Sequence, residues 1–559
     1  MQGTERSRTG GQILVDQLII NGTDRVFCVP GESYLAVLDA LYDRRDEIAL
    51  VNARHEAGAA NMAETYGKLT NLPGICFVTR GPGACHAAVG VHIAHQDSTP
   101  MILFIGQVDS GTMDREAFQE IDYRQMFGRV AKWVAQIDSA KRIPEYLARA
   151  FRVATSGRPG PVVLAIPEDV LAEKLVVPDA RRVEPIAFGV SEEQLRAVGE
   201  RLSAAQRPLA IVGGSGWTRQ ACDDFRHFAE ANGLPVATSY RRQDVFDNRS
   251  PNFAGDLGTS GPVELIRRVK DADLLLVVGA RLGEMTTQSY SLLPPSVRQV
   301  LVHVHPGADE LGRVYQPDLA LNLPPEAFAS ALRGAKWLDT KRLTAWRQAA
   351  NADFLRANAS PEGAGGLDMG QVLSALGDRL PEDFILTLDA GNHTHWPQRF
   401  LRYGRPNRQL GTTCGSMGYA VPAAVAASIT YPDRLVIGCV GDGGFMMSGM
   451  ELATAMQHGG KPIIILFNNS SYGTIRMHQE REYPGRVSGT DLVNPDFVGM
   501  GQVMGAYAER VSTTEAFFPA FERAVAAKRA ALIEVVTEVE QITTRTTLTE
   551  LRARKANNG

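Results

Sequence analysis

Between Leu435 and Gly473 the chain reads LVIGCVGDGGFMMSGMELATAMQHGGKPIIILFNNSSYG, and two places in it could do chemistry together. Gly441, Gly443 and Gly444 would let main-chain N–H groups approach a phosphate. Asp442 among them offers a carboxylate, and the Asn469 side chain an amide oxygen, both hard ligands of the kind Mg²⁺ takes. Mg²⁺ commonly keeps few protein ligands beside phosphate oxygens and water, so one carboxylate, one amide and one carbonyl suffice if a diphosphate completes the shell. Taken singly, GDGG is a tight turn and Asn468-Asn469 a turn after a strand. The 24 residues from Gly444 to Phe467 leave room for one helix and one strand, so two strand ends aim at one point. The ligand this pairing suits is a Mg²⁺ diphosphate.

The elements that must position these residues are legible as short apolar runs, each ending in Gly, Pro, Asn or Asp: RVFCVPG, GICFVTRGPG, PMILFIGQV, PVVLAIPED, PLAIVGGSG, DLLLVVGAR, FILTLDAGN, LVIGCVGDGG and PIIILFNNS. Continuous apolarity at this length predicts strands buried on both faces of parallel sheets. Helical stretches such as GGQILVDQLIING and ELATAMQHGG lie between them, the second ending in a glycine pair suited to a helix C-terminus. Linker-like stretches, EKLVVPDARRVEPIAFG and RANASPEGAGGLD, divide the chain into expected domains over 1–178, 190–340 and 366–550. The fold class is therefore α/β, three doubly wound parallel-sheet domains with helices on both faces. Their similar size is compatible with old duplication.

Composition narrows the function. The 559 residues carry 58 Lys+Arg against 62 Asp+Glu, a net charge of −4. With no basic stripe, this argues against nucleic acid or anionic membrane as partner. Six scattered cysteines without a CxxC pair support neither a disulfide framework nor a zinc knuckle, and fit a reducing, cytoplasmic setting. The N-terminal MQGTERSRTGG lacks the apolar core of a signal peptide, and no run is long enough to span a membrane.

The GDG-x24-NN pattern resembles the thiamine diphosphate (ThDP) fingerprint. HEAGAANMAETYGKLT, QDSTPMILFIGQV, REAFQEID and GSMGYAVPAA resemble, in the right order, segments of ThDP-dependent acetolactate synthase-like (acetohydroxyacid synthase) enzymes. That resemblance covers nearly the whole chain and implies pyrimidine-binding, central and diphosphate-binding domains. It places Glu56 against the cofactor's aminopyrimidine, where a carboxyl favours the imino tautomer; alone, His55-Glu56 would read as a helix N-terminus with a favourable charge. It makes Met417 the bulky residue beneath a bent cofactor, with the Gly415 carbonyl at the aminopyrimidine. Gly391, Asn392 and His393 become a phosphate loop, and Asp442, Asn469 and the Ser471 carbonyl the Mg²⁺ ligands, with Gly473 close by. Pro30, in Val29-Pro30-Gly31-Glu32, falls in a further cofactor-facing segment. Phe118 and Gln119 match a substrate-facing pair; without the resemblance they would be surface and core residues at a helix start. Gln107 sits in a similarly matching segment, and Lys132 is either a lysine near the substrate entrance or a solvated one. Met446, Met447 and Met450 are expected in the core of the connecting helix.

The resemblance further implies decarboxylation of a 2-oxo acid, pyruvate foremost, with transfer to a second carbonyl. The alternatives are a simple decarboxylase releasing an aldehyde, and a noncatalytic binding protein, which intact Glu56, Asp442 and Asn469 argue against. It implies a homodimer or homotetramer with the active site at the subunit interface, and leaves a regulatory subunit open. Some such enzymes hold FAD, without redox use, in the central domain. RPLAIVGGSGW and DLLLVVGARLG here are strand-to-glycine turns that can meet a nucleotide, without GxGxxG or a P-loop; HVHPGADELG departs from the usual HIDID-like run. Elsewhere YPGG is replaced by Val29-Pro30-Gly31-Glu32 and TSGPGATN by Thr79-Arg80-Gly81-Pro82-Gly83-Ala84-Cys85-His86, so that the acceptor side of the pocket is expected to differ. His478 stands where a tryptophan selects 2-oxobutyrate, which argues against selective acetohydroxybutyrate synthesis. The His-His pair of simple pyruvate decarboxylases is not evident; His92 and His95, in a comparable stretch, are expected to pack on a helix.

Overall fold

The nine apolar runs all form strands, and each ends where its Gly, Pro, Asn or Asp turns the chain. They belong to three six-stranded, wholly parallel sheets in a computed structural model that describes residues 7–259, 261–359, 366–404 and 406–558, with side chains to 554. Residues 1–6 of the N-terminal segment and 360–365 of the second linker-like stretch lie outside the described residues.

The N-terminal sheet runs, across its width, Ala49–Asn52, Arg25–Cys28, Gly74–Val78, Met101–Gln107, Pro161–Pro167, Trp133–Gln136. The C-terminal sheet runs Gln409–Gly411, Ile385–Leu388, Val436–Gly441, Ile463–Asn468, Ala531–Val536, Tyr507–Val511. Numbered within each unit, both have the order 2-1-3-4-6-5, whereas the central sheet has 3-2-1-4-5-6. In an open parallel sheet the strand order reverses at one point, and a crevice opens there beyond the carboxyl ends of the strands. In the C-terminal sheet the reversal separates the strands ending before Asp389 and at Gly441. In the N-terminal sheet it separates those ending at Cys28 and Val78, just before Val29–Glu32 and Thr79–Gly83. The residues singled out for chemistry thus sit at equivalent places of two like-wound sheets.

These two sheets share a core. Helix Glu56–Thr70 lies on helix Ala420–Thr430, and one continuous cluster runs from Phe27, Ala60 and Ala63 to Ala424, Ala427 and Leu466. On its other side the same helix Glu56–Thr70 is approached closely by helix Pro82–Asp97 and the turn after it: a Cβ on Gly90 would meet Ala60, and one on Gly67 the Pro100 carbonyl. At the edge of the shared core sits a buried charge network. Lys68 Nζ lies 3.0 Å from Glu64 and 2.5 Å from Asp97, Tyr419 Oη donates to Glu64 at 2.7 Å, and Thr413 N donates to Asp97 at 2.8 Å. Burial pushes the Glu64 carboxyl up. The same burial opposes charge on Lys68, but Asp97 and Glu64 outweigh it and hold the ammonium well above its ordinary range.

The exposed methionines correct one expectation. Met446, Met447 and Met450 are 48%, 50% and 37% exposed: the first two lie on the outward side of helix Asp442–Ser448, and Met450 caps the start of helix Glu451–Gln457. His92 and His95 lie on helix Pro82–Asp97. No helix among the described residues is long and apolar enough to cross a membrane.

Removing Lys68 leaves two carboxylates facing each other in the core. Lys68→Met should lower unfolding stability by about 3–5 kcal/mol, read from urea denaturation, and adding Glu64→Gln should recover part of that loss.

Candidate active site

A cavity of about 700 Å³ opens at the reversal point of the C-terminal sheet. Its wall contains Gly391, Asn392, His393, Gly415, Met417, Gly441, Asp442, Gly443, Gly444, Asn469, Ser471 and Gly473, which the fold brings together from four separate strand ends. Strand Val436–Gly441 passes directly into helix Asp442–Ser448, so the first N–H groups of that helix face the cleft. Backbone approach explains the glycines: a Cβ at Gly443 would lie 2.4 Å from the Tyr472 ring, and one at Gly444 2.7 Å from Asp389. Gly391, at φ +138°, passes beneath the His393 ring in a conformation that side chains rarely adopt.

Asp442 accepts from its neighbour Gly443 N at 2.9 Å and from Asn494 Nδ2 at 2.9 Å. Burial raises its carboxyl above the ordinary range, a cost that a bound cation would offset. Asn469 Oδ1 accepts from Ser471 N at 3.1 Å. Only Asn469 of the asparagine pair reaches the cavity; Asn468 binds Glu534 and Asn494 instead. The Ser471 carbonyl accepts from Gly473 N at 2.8 Å, and its hydroxyl is buried without a partner. Asn392 is turned into the protein, hydrogen-bonded to Thr474 and to Met477 Sδ. His393 Nε2 is buried with no partner. An orphaned imidazole nitrogen, a glycine cradle and a carboxylate–amide–carbonyl set in one cleft fit a diphosphate with a divalent cation.

Asp389 was not singled out in the sequence, although it follows strand Ile385–Leu388 directly. Its buried oxygens accept from Gly418 N and Ala420 N, each at 3.0 Å. Asp97, of the QDSTP segment, holds Thr413 on the other side. The loop bearing Gly415 and Met417 is thus slung between two buried carboxylates, one from each sheet. Thr474 and Tyr472 were likewise missed, since nothing marks them except their place after Asn469.

Glu56, Pro30 and Gln119 gather around one loop at the reversal point of the N-terminal sheet, whereas Lys132 and His478 lie elsewhere. Glu56 opens helix Glu56–Thr70, capped from across the domain boundary by Glu451, which accepts from Arg54 N and His55 N. Loop Thr79–Gly83 is the hub: a Cβ on Gly83 would lie 3.6 Å from Glu56 Oε1, one on Gly81 2.8 Å from Gln119, and Gly31, next to Pro30, abuts Thr79. Arg80 is buried and bridges Glu32 at 3.2 Å and Glu168 at 3.0 Å, so two departures in the sequence meet each other. Phe118 is 73% exposed, and Gln119 has φ +66° in a turn, not a helix start. Gln107 is buried, its amide donating to Ile121 O. Lys132 binds the carbonyls of Val153 and Ser156 at a helix end. His478 contacts Arg481. None of this cluster enters the cavity, whose lining comes from residues 366–544 alone.

A further cavity of about 360 Å³ lies at the reversal point of the central sheet, where Gly214, Gly216, Arg241, Arg242, Arg281, Lys68 and Asp97 meet. The glycine turns that pointed to it pack on each other, since a Cβ on Gly214 would overlap the Gly279 carbonyl. His303 and His305, of HVHPGADELG, are buried behind it.

Three family descriptions match the chain: thiamine pyrophosphate enzyme, N-terminal TPP binding domain, over 8–126; the central domain over 195–332; and the C-terminal TPP binding domain over 389–535. Thiamine pyrophosphate is ThDP. The acetolactate synthase large subunit of Corynebacterium glutamicum is 32% identical over 92% of this chain and 84% of its own length. The acetolactate synthase isozyme 2 large subunit of Escherichia coli is 31% identical over 90% and 91%. A probable acetolactate synthase large subunit of Methanocaldococcus jannaschii is 28% identical over 94% and 91%.

Burial, then the positive charge of Arg241, pushes His393 down to about 3. The ring is neutral at working pH, and any bond it makes to a phosphate is a neutral one. An unfolded histidine takes up its proton near pH 6.5 while the folded one does not, so this group removes stability as pH falls from about 6.5 toward 3. Relative to His393→Gln, the cofactor-free wild type should lose up to about 1.4 kcal/mol per pH unit between pH 6 and 4 in paired urea titrations.

Proposed function

The chain belongs to the ThDP-dependent, acetolactate synthase-like family of enzymes, and from that premise we propose that it is a Mg²⁺-dependent carboligase acting on pyruvate or a close 2-oxo acid. The observation that carries this reading is the cleft in which Asp442, Asn469 and Ser471 converge beside the orphaned His393. Bound ThDP supplies a nucleophilic carbon and an electron sink for the carboxylate that leaves as CO₂. Asp442, Asn469 and the Ser471 carbonyl would hold Mg²⁺, while Gly441–Gly444 and His393 donate to the diphosphate. Asn392 positions Thr474 at the cleft wall. Met417 and the Gly415 carbonyl, both in the cavity wall, would hold the cofactor's ring system, the carbonyl as a hydrogen-bond acceptor. Glu56 holds a proton at the ring nitrogen of the aminopyrimidine, which makes the amino group the local base. Phe118 and Gln119, with Pro30 in the adjoining loop, border the acceptor. With pyruvate as both partners the product is 2-acetolactate.

Among the described residues Glu56 does not line the diphosphate cleft, so the complete site is proposed to form between copies, in a homodimer or a homotetramer built from the chain. The exposed Met446, Met447 and Phe118 beside the two half-sites suit such an interface. The central cavity, with Arg241 and Arg242 in its wall, is where a nucleotide such as non-redox FAD would lie. A cytoplasmic location fits the cysteine usage. A regulatory subunit remains an open partner, the cited bacterial and archaeal relatives being named as large subunits.

Incubation with labelled pyruvate, ThDP and Mg²⁺, alone and with a panel of aldehydes and 2-oxo acids, should yield acetolactate or a mixed acyloin by NMR, and Glu56→Gln should abolish it. Acetaldehyde alone would overturn carboligation in favour of decarboxylation. Glu56→Gln and Asp442→Asn, each inactive, should on dissociation and remixing regain up to about a quarter of wild-type activity, because half the dimers then hold one intact site. No recovery, with exchange of copies demonstrated, would place the site within one chain.

A further inference from the structure

Glu56 has a partner that its proposed role does not account for. His86, on helix Pro82–Asp97, places Nδ1 2.9 Å from Glu56 Oε2. Among the described residues it is the one side chain hydrogen-bonded to that carboxylate. In the tautomer with its hydrogen on Nδ1 the imidazole donates to this oxygen, the pairing that a carboxylate acceptor suits. The imidazole is itself held: its ring stacks on His55 at 4.6 Å with 30° between planes, and His55 is fixed in turn because its Nδ1 accepts from Ala57 N at 3.1 Å. The His55 main chain is anchored further by Glu451. Three successive constraints therefore end on one oxygen of one carboxylate. Oε1, the other oxygen, faces Gly83, where the absence of a side chain keeps the approach open.

Resting on the reading of Glu56 as the residue that meets the cofactor's ring nitrogen, we propose that His86 is its positioning residue: Nδ1–H holds Oε2, so that Oε1 is the oxygen presented to the cofactor. The His86 side chain is half exposed and the Glu56 side chain 14% exposed. A pair this near solvent contributes little to stability. Its effect is geometric, because a terminal carboxyl torsion is broad and two-fold when neither oxygen is tied, and proton positioning at a reacting centre tolerates little displacement. The resembling enzymes' motif ends in Asn where this chain has His86, and an Asn amide can supply a donor at about the reach of Nδ1. The chemistry required at position 86 is thus a hydrogen-bond donor, with the ring a means of fixing it.

The test separates donor from ring. His86→Phe keeps the stack on His55 and removes the donor, His86→Asn keeps a donor and removes the ring, and His86→Ala removes both without adding bulk. Two quantities are read on each: the dissociation constant of ThDP with Mg²⁺, from quenching of protein fluorescence, and the rate of hydrogen–deuterium exchange at the thiazolium C2 of bound cofactor, from rapid-quench NMR. In His86→Phe and His86→Ala the exchange should slow by roughly 10- to 100-fold while the dissociation constant stays within about threefold. His86→Asn should exchange within about fivefold of wild type. Wild-type exchange in His86→Ala overturns the proposal, as does an Asn variant as slow as Ala. Should His86→Phe fail to fold or to dimerise, the Ala and Asn pair decides alone. Wild-type exchange in Glu56→Gln would instead overturn the role of Glu56 itself, whatever the His86 variants do.

Discussion

The crossing of helix Glu56–Thr70 over helix Ala420–Thr430 is the contact on which the rest of the site depends. It fuses the cores of two sheets into one, so the Glu56 end of one domain and the Met417 loop of the other cannot shift independently. Apolar burial supplies the adhesion, while the Glu64, Lys68, Asp97 and Tyr419 cluster at its edge sets the register, since each charged or polar group there has one arrangement that satisfies it. Such networks add little net stability over apolar packing and are penalised heavily when incomplete. Here the network extends through Thr413 into the loop carrying Gly415 and Met417.

The site is therefore built by through-space support more than by local sequence. Asp389 and Asp97 suspend one loop from two sides. Glu451, in the helix after the GDGG turn, caps the helix that Glu56 opens, so the diphosphate half and the pyrimidine half of a single chain are tied back to back. The cavity at the C-terminal sheet is lined by residues 366–544, and Glu56 lies outside its wall.

Much of this was legible in the sequence, and what was missed has more than one cause, since the interior strands Val236–Thr238, Val300–Val304 and Ala531–Val536 also went unread. All nine apolar runs are strands, because a strand covered on both faces by helices must be apolar at every position. All six edge strands escaped that reading, among them Tyr507–Val511 and Phe253–Asp256: an edge has a neighbour on one side only, and polar residues there limit further pairing. The glycine and acid motifs of the cleft could be read because their chemistry is local. Asp389, Glu451 and the Asp97–Thr413 contact could not, since each acts on a loop far away in the chain, 316 residues in the last case. Gln119 was missed as a turn residue for the opposite reason: Asp114, Glu116 and Gln119 all adopt positive φ within six positions, which no residue type there announces. The methionines after GDGG are apolar like core residues and yet lie outside, so apolarity alone did not reveal which way they face.

The shared core has a consequence for biogenesis. The first sheet is complete once residue 167 has been made, but the face of helix Glu56–Thr70 that belongs under Ala420–Thr430 has nothing to cover it until the ribosome has added the whole central domain. At about 5–20 residues per second that interval lasts on the order of 10 to 50 s. During it the nascent chain carries an uncovered patch of alanine, methionine and tyrosine side chains, with Lys68 and Glu64 at its edge, while the central domain can finish folding on its own. The pairing of the two helices therefore waits on synthesis through residue 430 and not on completion of the first sheet.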